Sequence, residues 1–466
     1  MKAHDALFIA GGWHPATTGD TIEVVNPADE QVIATVPAGG AAEVDPAARA
    51  ARAAFPGWAA SAPAERAALL TALRDQLAAR AGEIAETVTA ELGAPSVFAQ
   101  KVHAALPVAI TGSYAELAAS YPFEERVGNS TVLHEPVGVV AAITPWNYPL
   151  HQITAKVVPA LAAGCTVVLK PAEDTPLVAQ LFAECVEAAG LPAGVFNLVT
   201  GLGPVAGQAL AEHPGTDLVS FTGSTAVGRK IAAMAGAAVK PVALELGGKS
   251  ANVILPSADL AKAVAVGVGN VMANSGQTCS AWTRMLVHTD YYEEAVALAA
   301  QAAAKYATPE RMGPLVSARQ RERVRGYIER GLAEGARLVA GGAESPSYAP
   351  AGYYVQPTVF ADVTPEMAIA QEEIFGPVLS LIRYRDEEEA LEIANGTVYG
   401  LAGAVWAGEE AEAAAFARRM ETGQVDINGG RFNPLAPFGG YKQSGIGREL
   451  GAYGLAEYLH TKSLQF

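Results

Sequence analysis

Three residues in the 466-residue chain have types and surroundings suited to chemistry. Cys279 sits in the run Gly276-Gln277-Thr278-Cys279-Ser280. A partly exposed thiol among small, polar neighbours, with its pKa lowered, is the usual sulfur nucleophile. A structural thiol more often has apolar neighbours on both sides, as Cys165 has in Ala163-Gly164-Cys165-Thr166-Val167. Glu245 closes the apolar run Val242-Ala243-Leu244 and precedes Leu246-Gly247-Gly248. A carboxylate there is either one member of a structural ion pair or a base exposed at the carboxyl end of a strand, where α/β sheets place their ligands. Asn147, in Thr144-Pro145-Trp146-Asn147-Tyr148-Pro149, also follows an apolar run. Its amide either caps a helix or donates to a developing oxyanion. Neither reading of Glu245 or Asn147 wins without the others.

Two glycine-containing turns are candidates for a phosphate. Gly201, Gly203 and Gly207 form a G-x-G-x-x-x-G, close to the dinucleotide fingerprint but not its standard spacing. The plain alternative is a strand-to-helix turn. The stretch Phe221-Thr222-Gly223-Ser224-Thr225-Ala226-Val227-Gly228 suits a pyrophosphate better. There a strand runs into Gly223 and Ser224 and a helix begins, so backbone N–H groups and the positive helix end point one way.

The elements that must position these residues follow from hydrophobic period. Ser61 to Gly93 reads as one long amphipathic helix, with Leu69, Leu73, Leu77, Ile84, Val88 and Leu92 at helical spacing and Gly93 as its stop. Short β-branched or apolar runs then appear at 137–143, 166–169, 195–199, 218–222 and 242–246. Helix-like stretches at 152–163, 176–189 and 226–235 lie among them. That alternation predicts a parallel, doubly wound sheet. Beyond Gly248, helices are expected at 259–270, 292–306 and 317–334, with strands at 285–287 and 378–384, making a second α/β domain. Residues 121–135 suit an exposed hairpin which, with 457–466, could pair edges with a neighbouring subunit.

Composition narrows the function. Acidic residues outnumber basic ones, 48 to 32, for a formal net charge of −16. No block of five or more Lys/Arg occurs, so nucleic acid and anionic membrane surfaces are poor partners. The apolar stretch Val157–Leu169 is shorter than the roughly 20 residues of a membrane span. The head of the chain lacks the pattern of a secretory signal, so no export is expected. Three cysteines, Cys165, Cys185 and Cys279, make neither a disulfide framework nor a Cys/His metal cluster. Free thiols, a cytoplasmic setting and no metal are the expectation. With 50% apolar and only 17% charged residues, the chain can bury a large core and part of its surface against copies of itself.

Taken together, these segments resemble the NAD(P)-dependent aldehyde dehydrogenase superfamily over nearly the whole chain. The resemblance rests on Phe8-Ile9-Ala10-Gly11-Gly12-Trp13, Pro145-Trp146-Asn147, Lys170-Pro171-Ala172-Glu173 and Phe221-Thr222-Gly223-Ser224-Thr225. It continues through Leu244-Glu245-Leu246-Gly247-Gly248-Lys249, Gly276-Gln277-Thr278-Cys279, Glu372-Glu373-Ile374-Phe375-Gly376-Pro377 and Pro437-Phe438-Gly439-Gly440-Tyr441-Lys442-Gln443-Ser444-Gly445. Eight motifs in the family's order leave little room for another fold.

The resemblance implies an α/β chain with a Rossmann-type NAD-binding domain over 1–118 and 138–247 and an α/β catalytic domain over 248–444. A small β oligomerisation element over 119–137 and 445–466 completes it, in a homodimer or homotetramer. It further implies Cys279 as nucleophile, Asn147 as oxyanion donor and Glu245 as the base that activates a hydrolytic water. For the cofactor it implies Lys170 and Glu173 near the adenosine ribose and Gly223 and Ser224 at the pyrophosphate, with Gly228 and Leu246 also among the cofactor-binding residues. Glu373 would take the nicotinamide ribose, Phe375 would lie near the nicotinamide, and Thr144 and Trp146 would lie along the cofactor's path. A carboxylate at Glu173 accepts from a ribose 2′-OH and repels a 2′-phosphate, so NAD⁺ is expected over NADP⁺. Tyr148, Trp282, Phe432 and Phe438 are the implied aldehyde pocket, suited to a medium-sized or apolar substrate. Arg431 is read as facing solvent rather than a substrate carboxylate. The competing readings are a CoA-acylating dehydrogenase, which needs no hydrolytic base at Glu245, a cofactor-free acyl hydrolase, which leaves Lys170, Glu173 and Glu373 unexplained, and a non-catalytic relative of the same fold.

Overall fold

The structure, a computed structural model, describes residues 3–466; Met1 and Lys2, at the head of the segment read as 1–118, lie outside the described residues. Two large sheets form its frame. In the first, eight-stranded sheet, the strands Phe196–Leu198, Thr166–Lys170, Val139–Ile143, Leu218–Thr222 and Val242–Glu245 lie side by side in that order and all run parallel. Alternate residues face opposite layers, as a strand's two-residue period requires. Val139 and Ala141 pack with Val44, Ala47 and Ala51 on one face, while Val140 and Ala142 pack with Ile153, Val157 and Phe182 on the other. Helices cover both faces, which is why these strands read as continuous apolar runs rather than as alternating ones. Strand order reverses at Val139–Ile143: Thr166–Lys170 lies to one side and Leu218–Thr222 to the other. Loops leaving the carboxyl ends part company at such a reversal and open a crevice.

The second, seven-stranded sheet runs Arg337–Ala340, Thr358–Ala361, Val378–Tyr384, Arg284–His288, Ala251–Ile254, Ala402–Trp406 and Gln424–Ile427. All but Arg337–Ala340 are parallel. A third, three-stranded sheet joins Leu459–Gln465, Ser130–Pro136 and Glu124–Val127, all antiparallel. Its outer strands are almost wholly exposed. Among the described residues no helix is long and apolar enough to cross a membrane.

Two expectations need correcting. The helix read from Ser61 to Gly93 is two helices, Pro63–Ala79 and Ala81–Leu92, which meet at Arg80 with φ −103°. Leu77 and Ile84 are seven residues apart, two full helical turns, so the apolar spacing passes through the break undisturbed. Arg80 is held at the bend by ion pairs to Glu83 and Glu184. The stop at Gly93 is as expected, in the left-handed conformation. The second correction concerns 445–456, grouped from the sequence with the oligomerisation element. Gly445–Ile446 instead pairs with Val242–Glu245 as the last strand of the first sheet. The short helix Gly451–Ala456 then seats Leu450, Leu455 and Tyr458 in that sheet's core. Only Leu459–Gln465 leaves to join the small sheet.

Candidate active site

The parallel strands of the first sheet deliver their following residues to one edge. Thr144, Trp146, Asn147 and Tyr148 follow Val139–Ile143, Lys170 and Glu173 close or follow Thr166–Lys170, Gly223 and Ser224 follow Leu218–Thr222, and Glu245 closes Val242–Glu245. The second sheet meets this edge with loops that precede its strands: Cys279 lies ahead of Arg284–His288, and Glu373 and Phe375 lie ahead of Val378–Tyr384. Hydrogen bonds join the two sides. Asn147 Nδ2 donates to the Gln277 carbonyl at 3.0 Å, and Asn274 Nδ2 donates to the Asn147 carbonyl at 2.7 Å. The Tyr148 and Thr278 hydroxyls lie 2.8 Å apart, and the Gly248 N–H donates to Glu373 Oε1 at 3.1 Å.

Cys279 is carried by a turn that the chain does not adopt willingly. After the helix Leu260–Met272, residues Asn274, Ser275 and Gly276 have φ of 50°, 58° and 72°. A left-handed conformation costs about 1–2 kcal/mol at a residue with a Cβ, so neighbours must hold it. Ser275 Oγ donates to the Gly313 carbonyl at 2.7 Å, and the Val316 N–H donates to Gln277 Oε1 at 2.9 Å. At Gly276 nothing larger fits, because a Cβ would lie 2.1 Å from the carbonyl of Gly376. The Cys279 thiol is half-buried, and burial pushes its pKa up, followed by the negative potential of Glu373, Glu245 and Glu449. A depressed pKa is what the sequence suggests for a nucleophile; the resting surroundings impose the opposite, so the proton must leave when the thiol reacts.

Glu245 is buried, and its Oε2 has no hydrogen-bond partner. Gly439 crowds its other oxygen: a Cβ there would lie 2.7 Å from Oε1, and φ is +149°. Burial raises the Glu245 carboxyl well above the ordinary carboxylate range, helped by the charge of Glu449 and opposed by Lys156 and Arg448. Lys156 and Glu449 form a buried ion pair of their own. Neither was singled out from the sequence. Lys156 did carry a signal, as the one Lys or Arg in the helix Pro149–Ala163, directly ahead of the apolar run Val157–Ala163.

The cofactor candidates lie around the same crevice. Lys170 Nζ donates to Glu173 Oε2 at 3.0 Å. The turn at Gly201–Gly207, a weak fingerprint by its spacing, folds against this pair: Gly203 faces the Glu173 carboxylate and Gly207 the Lys170 side chain. Ser224 caps the helix Thr225–Ala237 by accepting from the Val227 N–H at 3.4 Å. Gly228 lies directly on Leu246, where a Cβ would come within 2.4 Å of Leu246 Cδ2. Thr144 Oγ1 and Thr222 Oγ1, at two of the strand ends, are buried without partners. Glu373 is pushed up to about 7 by burial, and the Trp146 and Phe375 rings meet edge to face at 5.3 Å. An ion pair, a capped helix start and two unpartnered hydroxyls at the carboxyl edge of one sheet, with a carboxylate on a facing loop, are groups that suit a dinucleotide.

The expected pocket residues are more scattered. Tyr148 stands beside the Cys279 turn, stacked on His103 at 5.1 Å. Phe438 is half-buried and bridges to Glu449 through its backbone. Trp282 is sunk in the core of the second sheet with Met272 and Tyr292. Phe432 and Arg431 sit on an exposed loop. Asn274 and Gln277, which bond to Asn147, and His103, which reaches Asn274, were not singled out from the sequence either. Among the described residues no His/Cys/Asp/Glu group could hold a metal ion.

The model of the aldehyde dehydrogenase family matches residues 13–464. A 3-succinoylsemialdehyde-pyridine dehydrogenase from a Pseudomonas species is 45% identical over all of this chain and 99% of its own. A crystal structure of a cysteine-to-alanine mutant of aldehyde dehydrogenase C from Pseudomonas syringae, complexed with NAD+ and octanal, matches with a TM-score of 0.98 at 47% identity. That match covers 99% of this chain and 96% of that one. The aldehyde dehydrogenase of Mycobacterium tuberculosis complexed with NAD+ matches with a TM-score of 0.97 at 44% identity, over 100% of this chain and 98% of that one.

Proposed function

The chain belongs to the aldehyde dehydrogenase family and catalyses NAD-dependent aldehyde oxidation, and from that premise we propose how its own residues do so. Glu245, a carboxylate made more basic by burial, takes the Cys279 proton, and Sγ forms a bond to the aldehyde carbon. The carbonyl oxygen becomes an alkoxide. One N–H of the Asn147 amide is engaged by Gln277; the other, with the Cys279 backbone N–H, receives that oxygen. Collapse of the alkoxide expels hydride and leaves a thioester on Cys279. Lys170, Glu173, Gly223, Ser224, Gly228, Leu246, Glu373 and Phe375 would hold NAD⁺, with Thr144 and Trp146 along its path, and when bound it would supply the hydride acceptor. Glu245 releases the thiol's proton to solvent and then takes a proton from a water whose oxygen attacks the thioester. The C–S bond breaks, the carboxylic acid leaves and Cys279 regains its proton.

The observation that carries this reading is the convergence of Cys279, Asn147 and Glu245 from two sheets onto one crevice. Glu245 also favours hydrolysis over acyl transfer to CoA. Glu173 supports a preference for NAD⁺, since a carboxylate accepts from a ribose 2′-OH and repels a 2′-phosphate. Tyr148 and Phe438 support a medium-sized or apolar aldehyde, and the relatives point the same way: one was crystallised with octanal and the other is named for a pyridine-bearing semialdehyde. Buried, unpaired Cys165 and Cys185 suit a reducing, cytoplasmic setting.

The test is NADH or NADPH formation over a panel of aliphatic, aromatic and carboxylated aldehydes, run with NAD⁺ and NADP⁺ beside Cys279→Ala. Activity lost in Cys279→Ala and a higher kcat/KM with NAD⁺ are expected. A Cys279→Ala enzyme that still turns over sinks the nucleophile assignment, and a kcat/KM for NADP⁺ that equals or exceeds that for NAD⁺ sinks the reading of Glu173.

A further inference from the structure

We propose that His103 is a positioning residue for the catalytic turn, acting through the Asn274 side chain on Asn147; this rests on the proposed roles of Asn147 and Cys279. His103 is presented by a π-turn, Ala99–Ala104, set between two helical segments, and such turns often re-aim a side chain. It is 1% exposed, with the Phe98 edge at 5.4 Å and the Tyr148 face at 5.1 Å. Its Nε2 lies 3.4 Å from Asn274 Oδ1. The other end of that amide, Asn274 Nδ2, donates to the Asn147 carbonyl at 2.7 Å and reaches the Gln277 carbonyl at 3.4 Å. Asn147 Nδ2 donates to the same Gln277 carbonyl at 3.0 Å.

The chain of donors runs one way only. Were the Asn274 amide turned over, Oδ1 would face the carbonyls of Asn147 and Gln277, and acceptor would meet acceptor. A donor on the far side selects the working orientation, and His103 is that donor. It therefore carries its proton on Nε2 and leaves Nδ1 bare, in keeping with Nδ1 being buried without a partner. Burial drives the imidazole pKa down to about 3, against the small pull of Asn274. His103 thus acts as a neutral donor over the working range. Asn274 is also the first residue of the left-handed turn, so the same bond restrains the backbone that carries Cys279.

The comparison of His103→Met with His103→Gln separates this role from packing, because Met keeps bulk without a donor and Gln keeps a donor. The readout is the rate of the first NADH burst, with NAD⁺ affinity measured alongside. Met should slow the burst roughly 10-fold at unchanged NAD⁺ affinity, and Gln should restore it to within about twofold of wild type. A Met variant at the wild-type rate, or a Gln variant no better than Met, overturns the proposal. Nitrogen NMR of the wild-type enzyme needs no variant to fold. The Nε2–H tautomer between about pH 5 and 9 is expected, and an Nδ1–H tautomer or an imidazolium in that range overturns it. Cys279→Ala in the same series keeps the two levels apart: if it stays active the underlying reading falls, and if only His103→Met is silent in effect this proposal falls alone.

Discussion

Glu245 buries a carboxyl oxygen without a hydrogen-bond partner, a defect worth about 1–3 kcal/mol in an ordinary core. A residue kept in that condition beside Cys279 has a use outside stability. Its raised pKa fixes the sign of a pH effect: below that value Glu245 holds a proton and cannot act as base, so turnover climbs as pH rises through it. Glu245→Gln keeps the shape and removes the base. Steady-state turnover should fall roughly 100-fold or more, the rising limb of the pH profile should vanish, and at high pH, where hydroxide takes the Cys279 proton, acyl-enzyme should accumulate. Mass spectrometry of the protein, or hydroxylamine trapping of the acyl group as a hydroxamate, would detect it. A Glu245→Gln enzyme with wild-type turnover and no adduct would show that water is activated by another group.

At the scale of elements, the helix Leu177–Ala188 begins on a carboxylate from another helix. Glu91 Oε2 and Oε1 accept from the Leu177 and Val178 N–H groups at 2.8 and 3.1 Å, in full burial. Burial lifts Glu91 from 4.5 to about 8, against those two N–H groups. Its folded pKa lies above its unfolded one, so the folded protein holds a proton that the unfolded chain releases. The associated stability is complete below 4.5 and is lost as pH rises towards about 8. Glu91→Gln should flatten the decline of Tm across that window in calorimetry, and an unchanged slope would place the titration elsewhere. Glu91→Ala removes both acceptors and should cost about 1–3 kcal/mol.

Most of these elements could be read from the chain because each has a single local pattern. The strand Val378–Tyr384 has the bounds expected of it, and the inner strands of the first sheet fall within a residue or two of their apolar runs. Elements that stayed hidden depend on distant partners. Ala251–Ile254 lies in the middle of the second sheet, yet it is a four-residue run containing Asn252, whose Oδ1 is satisfied only by Trp406 Nε1 at 2.8 Å. The Lys156–Glu449 pair joins residues 293 positions apart. Cys279, Glu245 and Asn147 stood out by type and by their immediate neighbours in the chain, whereas His103 and Asn274 have meaning only through each other. The raised pKa of Cys279 was invisible for the same reason, since the burial that causes most of it and the carboxylates that add to it come from other parts of the chain.

At the scale of the whole molecule, the three-stranded sheet is exposed on its outer strands and ends in apolar residues: Val127 is 55%, Leu464 39% and Phe466 74% exposed. Open edges of this kind are normally covered. We expect light scattering to give a multiple of the 48.0 kDa chain mass, and Leu464→Asp with Phe466→Asp to shift it towards a single chain with Tm of the monomeric core retained. A wild-type mass of 48.0 kDa would remove this sheet from any role in self-association.

The meeting of the carboxyl ends of one sheet with the loops ahead of the other's strands has one more effect. The base and the oxyanion donor belong to the first sheet, and the thiol belongs to the second, on a turn whose left-handed residues are tied to Gly313 through Ser275 and to Asn147 through Asn274. A chain made only as far as Val242–Glu245 holds the base and the oxyanion donor, but neither the thiol nor the Glu373, Phe375 and Gly445–Ile446 that complete the crevice and its sheet. The sulfur arrives later and gains its base only on docking. Assembly therefore serves as a safety catch, and a half-built chain carries no aldehyde-reactive centre into the cell.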